Sequence, residues 1–183
     1  MKKPLTLIIS FLLITTIVKA QDFGYTTVDV GGEYQWHPDG MITSLQFSFN
    51  SKVHSSFLIR GGYNKVNLKR TALHDGEEGT GWGGSVGYRY YVGVIPKRFF
   101  FGLSADVWSM NIHHSIPVTE GTSKLTVLQP GIETGYTILI NEQFFITPSF
   151  TASTQITLKT DGDKVDYGQG FKPMAGISAG WRF

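Results

Sequence analysis

Few residues of this chain could carry covalent chemistry. The one constellation that combines a nucleophile, a base and a carboxylate is His113-His114-Ser115, followed by Glu120 or Glu133. In such a set the imidazole takes the hydroxyl proton, the Ser oxygen attacks an ester carbonyl, and the carboxylate orients the imidazole. The competing reading is a polar loop whose two His bond water or phosphate oxygens, because a His-x-Ser triplet is short and arises by chance. Metal binding at the His pair is disfavoured, since neighbouring residues on a strand point to opposite faces. Asp161, Asp163 and Asp166 near Gly162 faintly suggest a Ca²⁺ loop, but the closing Glu of the EF-hand spacing is missing. There is no P-loop, dinucleotide fingerprint or basic aromatic ribbon. Neither a cofactor nor a nucleic-acid partner is expected.

A second set of polar residues follows another rule. Asp29, Glu33, Arg60, Arg89, Asp106, Glu133, Lys172 and Arg182 each share the parity of small polar residues in segments whose alternate positions are apolar. They comprise as many acids as bases. What they can do depends on the elements that hold them.

The 183 residues include 22 Gly, 13 Phe, 8 Tyr, 4 Trp and no Cys, and only 16% are charged. Soluble domains carry roughly 25%. So apolar a composition excludes a disordered chain, and the lack of Cys excludes a disulfide scaffold. Lys2 and Lys3 precede an apolar and hydroxyl run from Leu5 to Val18, and Val18-Lys19-Ala20 ends in small residues. This layout predicts a secretory signal peptide over residues 1–20, cleaved after Ala20. The run is shorter than the about 20 residues a membrane-spanning helix needs. With no Cys beyond the cut, a lipoprotein anchor is excluded. Cleavage removes Lys2, Lys3 and Lys19 and no acid, so the formal charge of +2 becomes −1 and the basic character goes with the leader.

From Gln21 onward, period-2 alternation replaces any sustained helical periodicity. It predicts an all-β domain over residues 21–183, with strands near Thr26 to Trp36, Thr43 to Phe49, Ser56 to Lys65, Trp82 to Tyr91, Phe99 to Asn111, Lys124 to Leu139, Phe144 to Leu158 and Phe171 to Phe183. Each is about the length that crosses a bilayer as a tilted strand. One parity is apolar and uncharged; the other holds the eight charges above. In a soluble barrel the apolar face would point inward, so alternation alone leaves the orientation open.

Other features favour lipid outside. Aromatics cluster at strand ends on the apolar parity, as in Tyr34/Trp36, Tyr88/Tyr90, Phe99/Phe101 and Trp181/Phe183, like the girdles of membrane barrels. The connections His37 to Gly40, Asn50 to His54, Val66 to Gly81, Gly93 to Lys97, His113 to Ser123, Asn141 to Gln143 and Thr160 to Gly170 put every long loop at one end. The charges that would face the lumen cancel, as a narrow interior requires, because an isolated buried ion costs several kcal/mol. Position predicts that Asp29 and Arg182 meet once the last strand closes on the first, and that the eight charges form a network plugging the lumen. Phe100, Trp108, Phe145 and Met174 share the inward parity and help to fill it. Within strands, Gly suits a tightly curved barrel. Pro130, Pro148 and Pro173 should mark bulges or frayed ends, since Pro donates nothing to a ladder.

The chain closes on Lys172-Pro-Met-Ala-Gly-Ile-Ser-Ala-Gly-Trp181-Arg182-Phe183. The terminal Phe183, with Trp181 and earlier apolar residues at every second position, resembles the signal read by the outer-membrane assembly machinery. Trp82-Gly-Gly-Ser-Val-Gly-Tyr-Arg-Tyr-Tyr91, and Pro130-Gly-Ile-Glu-Thr-Gly-Tyr136 running on to Pro148, resemble hairpins of small outer-membrane barrels of the OmpA-barrel and OmpX-like type, especially those of Bacteroidetes. The resemblance covers the mature chain. It implies an eight-stranded antiparallel up-and-down barrel, monomeric, in the outer membrane of a Gram-negative bacterium, with outer-membrane lipid and lipopolysaccharide around it. It carries over no catalytic or binding residue.

Two alternatives stand beside a structural or surface-interaction barrel. One is a soluble secreted barrel with Phe47, Phe101 and Ile132 turned inward on an apolar ligand. The other is a lipid A-modifying hydrolase, since His113 and Ser115 resemble the His-x-Ser triplet of lipid A deacylase barrels.

Overall fold

The computed structural model describes residues 25–51, 54–68, 77–93, 97–116, 119–161 and 170–183. The expected leader lies outside them, as do Asp163 and Asp166. The strands are β1 (Tyr25–His37), β2 (Gly40–Ser51), β3 (Ser55–Leu68), β4 (Glu77–Val92), β5 (Lys97–Ile116), β6 (Thr119–Ile140), β7 (Phe144–Asp161) and β8 (Gly170–Arg182). They pair antiparallel in chain order, and β8 closes on β1.

Direct partners lead from Asp29 through Ser48, Leu58, Gly87, Ser104, Gly131 and Ser153 to Lys172. The closing register sets Ala175 opposite Trp36, which puts Lys172 level with Asp39 instead of Asp29. One circuit therefore climbs ten residues. A stagger of this kind tilts the strands by about 35–45° to the barrel axis.

The alternation sorts cleanly. Leu45, Trp82, Phe101, Leu103 and Ile132 stand outside, whereas Asp29, Glu33, Arg60, Arg89, Asp106 and Glu133 are buried inside. The soluble alternative is thereby corrected: Phe47, Phe101 and Ile132 point outward, 44%, 57% and 63% exposed. An apolar outside around a charged inside is stable in lipid and not in water. On β8, Trp181 belongs to the lower aromatic girdle and Phe171 to the upper. Their separation along the tilted strand, at ~3.3 Å per residue, is about 25 Å of height, the apolar band of a membrane barrel.

Several strands run further than the alternation suggested. β5 and β6 have 20 and 22 residues, and the stretch His113 to Ser123, expected as a loop, is mostly ladder, with His113 opposite Thr122. Likewise β3 reaches Leu68 and β4 starts at Glu77. Crossing a bilayer takes about 9–11 residues, so the hairpins on this side stand above it. The other end, called lower here because both termini of the barrel lie there, has tight turns. In the three-residue β6–β7 connection Asn141 and Glu142 take φ of 50° and 61°, the left-handed region that side-chain-bearing residues enter mainly in tight turns.

The prolines break the ladder without a bulge. Pairing of β6 with β7 skips from Leu128↔Ile156 to Gly131↔Ser153 around Pro130, and from Gly135↔Ser149 to Ile138↔Ile146 around Pro148. Pro173 sits on the part of β8 that extends past its last β1 partner, so its missing donor is not needed there. The register shift in β6–β7 lies at Thr126/Val127 instead.

Inward aromatics have glycines as direct partners: Trp108 faces Gly83, Phe100 faces Gly135 and Phe145 faces Gly180. A Cβ added to Gly135 would come within 2.6 Å of the Phe100 ring. Gly83 and Gly135 thus leave the space that the Trp108 and Phe100 rings occupy, and Gly31 does so for Phe145, which is how a narrow barrel accommodates large residues.

Candidate functional site

The interior is layered, and the register decides which residues share a level. At the lower mouth Arg182 meets Asp29 across the β8–β1 seam, with Nε–Oδ1 at 2.6 Å and Nη2–Oδ2 at 2.7 Å. Beside them Arg98 lies over the Tyr91 ring at 4.3 Å, and Tyr91 packs on Phe100 with centroids 5.6 Å apart. Arg89 spans both worlds: its guanidinium stacks on Phe100 at 4.6 Å and gives Glu133 two hydrogen bonds, at 2.7 and 3.2 Å. Sequence parity did not single out Arg98 or Tyr91. They were legible in principle, because Arg98 continues the inward parity of Phe100 by one further step down β5.

Arg60 is the hub of the middle layer. It reaches Glu33 at 2.9 Å, Asp106 at 3.3 Å and the Ser85 hydroxyl at 3.0 and 3.1 Å. Glu33 also accepts from Gln35. All these side chains are buried, and a guanidinium that answers each carboxylate offsets part of the cost of holding charge there.

The ion pair of Lys172 is made at a different level. Its Nζ is 2.6 Å from Asp39, which belongs to the β1–β2 turn at the upper rim. The same turn is tied down where the Asn67 amide donates to the Asp39 carbonyl at 2.7 Å and where His37 Nε2 bonds Asn64 Oδ1 at 3.3 Å. Asp39 is the acid that sequence reading missed, because it falls in a turn where parity has no meaning.

Above the ion layer the interior becomes apolar. Ile42, Val66, Trp108, Met110, Ile112, Leu125, Val127 and Met174 form one buried cluster. Five of these come from β5 and β6, four within the strands the alternation predicts and Ile112 just beyond one, but only Trp108 and Met174 were anticipated as inward filling.

The hydrolase constellation is not assembled around Glu133, which is committed to Arg89 inside the wall. His113 is exposed, on the opposite face, and its Nδ1 bonds Thr122 at 3.1 Å. Ser115 and Glu120 are register partners at the top of β5–β6, and their side chains lie outside the described residues. His113 stands four residues beyond Ser109, the partner of the upper-girdle Trp82. That is above the hydrocarbon, where an acyl ester would not reach it. Trp181 and Phe183 are exposed on the outside at the lower end.

No protein-family model matches the chain, and no curated protein matches it in sequence. Solved structures do match in shape. The N-terminal β-barrel domain of Pseudomonas aeruginosa OprF aligns with TM-score 0.54 at 16% identity, over 87% of this chain and 99% of that one. A major outer membrane protein from Thermus thermophilus aligns with TM-score 0.60 at 10% identity, over 86% and 98%. Ail, the attachment invasion locus protein of Yersinia pestis, aligns with TM-score 0.50 at 11% identity, over 86% and 95%. The fold is the closed eight-stranded antiparallel barrel that these outer-membrane proteins also have, and a charged interior within an apolar exterior is the arrangement suited to a barrel embedded in lipid.

Proposed function

We propose that this chain is a sealed outer-membrane barrel whose raised upper hairpins are its working surface, with a structural or surface-interaction role and no diffusive pore. The observation that carries the reading is the succession of buried side chains along the interior: Arg98, Tyr91, Phe100 and the Asp29–Arg182 pair below, the Arg60 hub in the middle, and the apolar cluster around Trp108 above. A porin-like channel needs a water column, and an eight-stranded barrel is just wide enough for its side chains to fill.

The reach of β5 and β6 well past the upper girdle supports a role outside the cell, since strand that is not needed to cross the bilayer costs order for no gain in insertion. That Ail, of the same fold, is named for attachment fits this reading. Lipopolysaccharide and outer-membrane lipid are the surrounding partners, Phe183 with Trp181 is the feature the assembly machinery would read, and the barrel works as a monomer. The Trp82–Tyr91 strand and the Pro130–Pro148 hairpin support a Bacteroidetes-type member. The test is conductance: the purified barrel in planar bilayers should insert without stepwise openings. Steady porin-sized steps would refute the sealed reading.

A further inference from the structure

The outer wall is not uniformly covered. Across β8, β1, β2 and β3 the direct partners Ala179, Gly32, Leu45 and Gly61 form a row on the lipid side with a single large side chain. The row above it carries Tyr34, Tyr63 and Trp82, and the row below carries Phe47 and Ile59. The floor row and the row above it, which includes the small Thr43, bound a trench of about 830 Å³ that Phe47 and Ile59 do not line. The corresponding level on the far side of the barrel has no such gap, with Leu103 and Ile132 paired there and both more than half exposed.

Two of the floor residues have no internal reason to be glycine. A Cβ on Gly61 would meet nothing within 4 Å, and one on Gly32 would meet only the Ser44 carbonyl oxygen at 4.0 Å. Glycine in a strand weakens it, and the inward glycines, such as Gly135 against Phe100, are accounted for by contact. What Gly32 and Gly61 keep clear lies outside the protein.

We infer that this trench holds one acyl chain of an outer-leaflet lipid. It is continuous with the lipid-facing surface, and Tyr34, Tyr63 and Trp82 bound it at the upper girdle, so it opens toward the outer leaflet. Three strand-to-strand steps at ~4.8 Å give it a length of about 14 Å, close to half of the ~30 Å hydrocarbon core. The flanking rows are four residues apart, about 13 Å between backbones. Tyr34, Tyr63 and Trp82 narrow the trench from above and Leu45 narrows it from the floor, leaving a slot beside Thr43 that a hydrocarbon chain enters and a convex second barrel does not. Trp82, 71% exposed, stands proud at its end and keeps a neighbouring barrel off the floor. The inference rests on the membrane location and is independent of a sealed lumen.

The experiment uses the mature barrel in vesicles of phosphatidylethanolamine doped with the same lipid carrying a diazirine in its acyl chain. After photolysis, adducts should concentrate several-fold on Leu45, Tyr63 and Ile177 over Leu103 and Ile132. Gly61→Leu, or Gly32→Leu as a second filling variant, should abolish that concentration while heat-dependent gel mobility stays unchanged. Even labelling around the wall, or labelling of both filled variants like the wild type, would overturn the inference. So would a dimer of the wild type that Gly61→Leu dissociates, which would assign the trench to a second copy. Absence of adducts on both faces would overturn the membrane location itself.

Discussion

Arg182 and Asp29 close the barrel at its seam. They are direct partners in the β8–β1 ladder, and their ion pair is doubly hydrogen-bonded, at 2.6 and 2.7 Å, with both side chains almost entirely buried. The pair joins the last strand to the first, at the one place where closure depends on residues far apart in sequence.

Removing one partner there should therefore be costly. Asp29→Ala leaves a guanidinium without its carboxylate and should destabilise the barrel by about 3 kcal/mol, read from urea unfolding in vesicles. Asp29→Ala combined with Arg182→Leu should recover much of the loss, because no charge is then stranded. Strictly additive losses would show that the two residues do not act as a pair.

The Arg60 hub predicts an asymmetry. Arg60→Met strands both Glu33 and Asp106, whereas Glu33→Gln leaves Asp106 still paired, so the Arg60 variant should lose clearly more stability. Arg60→Ala and Glu133→Ala also remove filling volume from the lumen and should introduce single-channel openings in planar bilayers. A silent trace from both would mean that the ion layer does not hold the lumen shut.

Two glycine substitutions should diverge. Gly135→Ala drives a methyl into Phe100 and should destabilise by about 1–3 kcal/mol, with partial recovery on adding Phe100→Leu. Gly61→Ala meets no neighbour and should be neutral or stabilise by up to about 1 kcal/mol. Thermal unfolding of the three variants beside the wild type measures both effects, and equal losses at the two glycines would contradict the difference in their surroundings.

Expression of the barrel should leave lipid A unaltered. His113 is exposed above the upper girdle and Glu133 is held by Arg89 inside the wall, so His113, Ser115 and Glu133 do not form a triad at the level of an acyl ester. Mass spectrometry of lipid A checks this, and an acyl chain lost with wild type but retained with Ser115→Ala would reinstate the hydrolase.

The sequence by itself determined which residues share a face of each strand. A period of two leaves no freedom once one parity is free of charge, so Phe101 and Leu103 had to stand outside if Arg89 and Asp106 were inside. Balanced charge and the Asp29–Arg182 encounter were legible for the same reason, since ends that close must bring the first and last strands together. Parity stops being informative where a strand becomes apolar on both faces, as in Leu125-Thr-Val-Leu128, or passes into a turn. That is why the upper apolar cluster, the long β5–β6 ladder and the partnership of Asp39 with Lys172 came only with the tertiary structure. Which acid meets which base, which ring lies on which glycine, and where the outer wall is left bare are set by register and stagger around a closed circuit. Those are relations between strands, and no single strand encodes them.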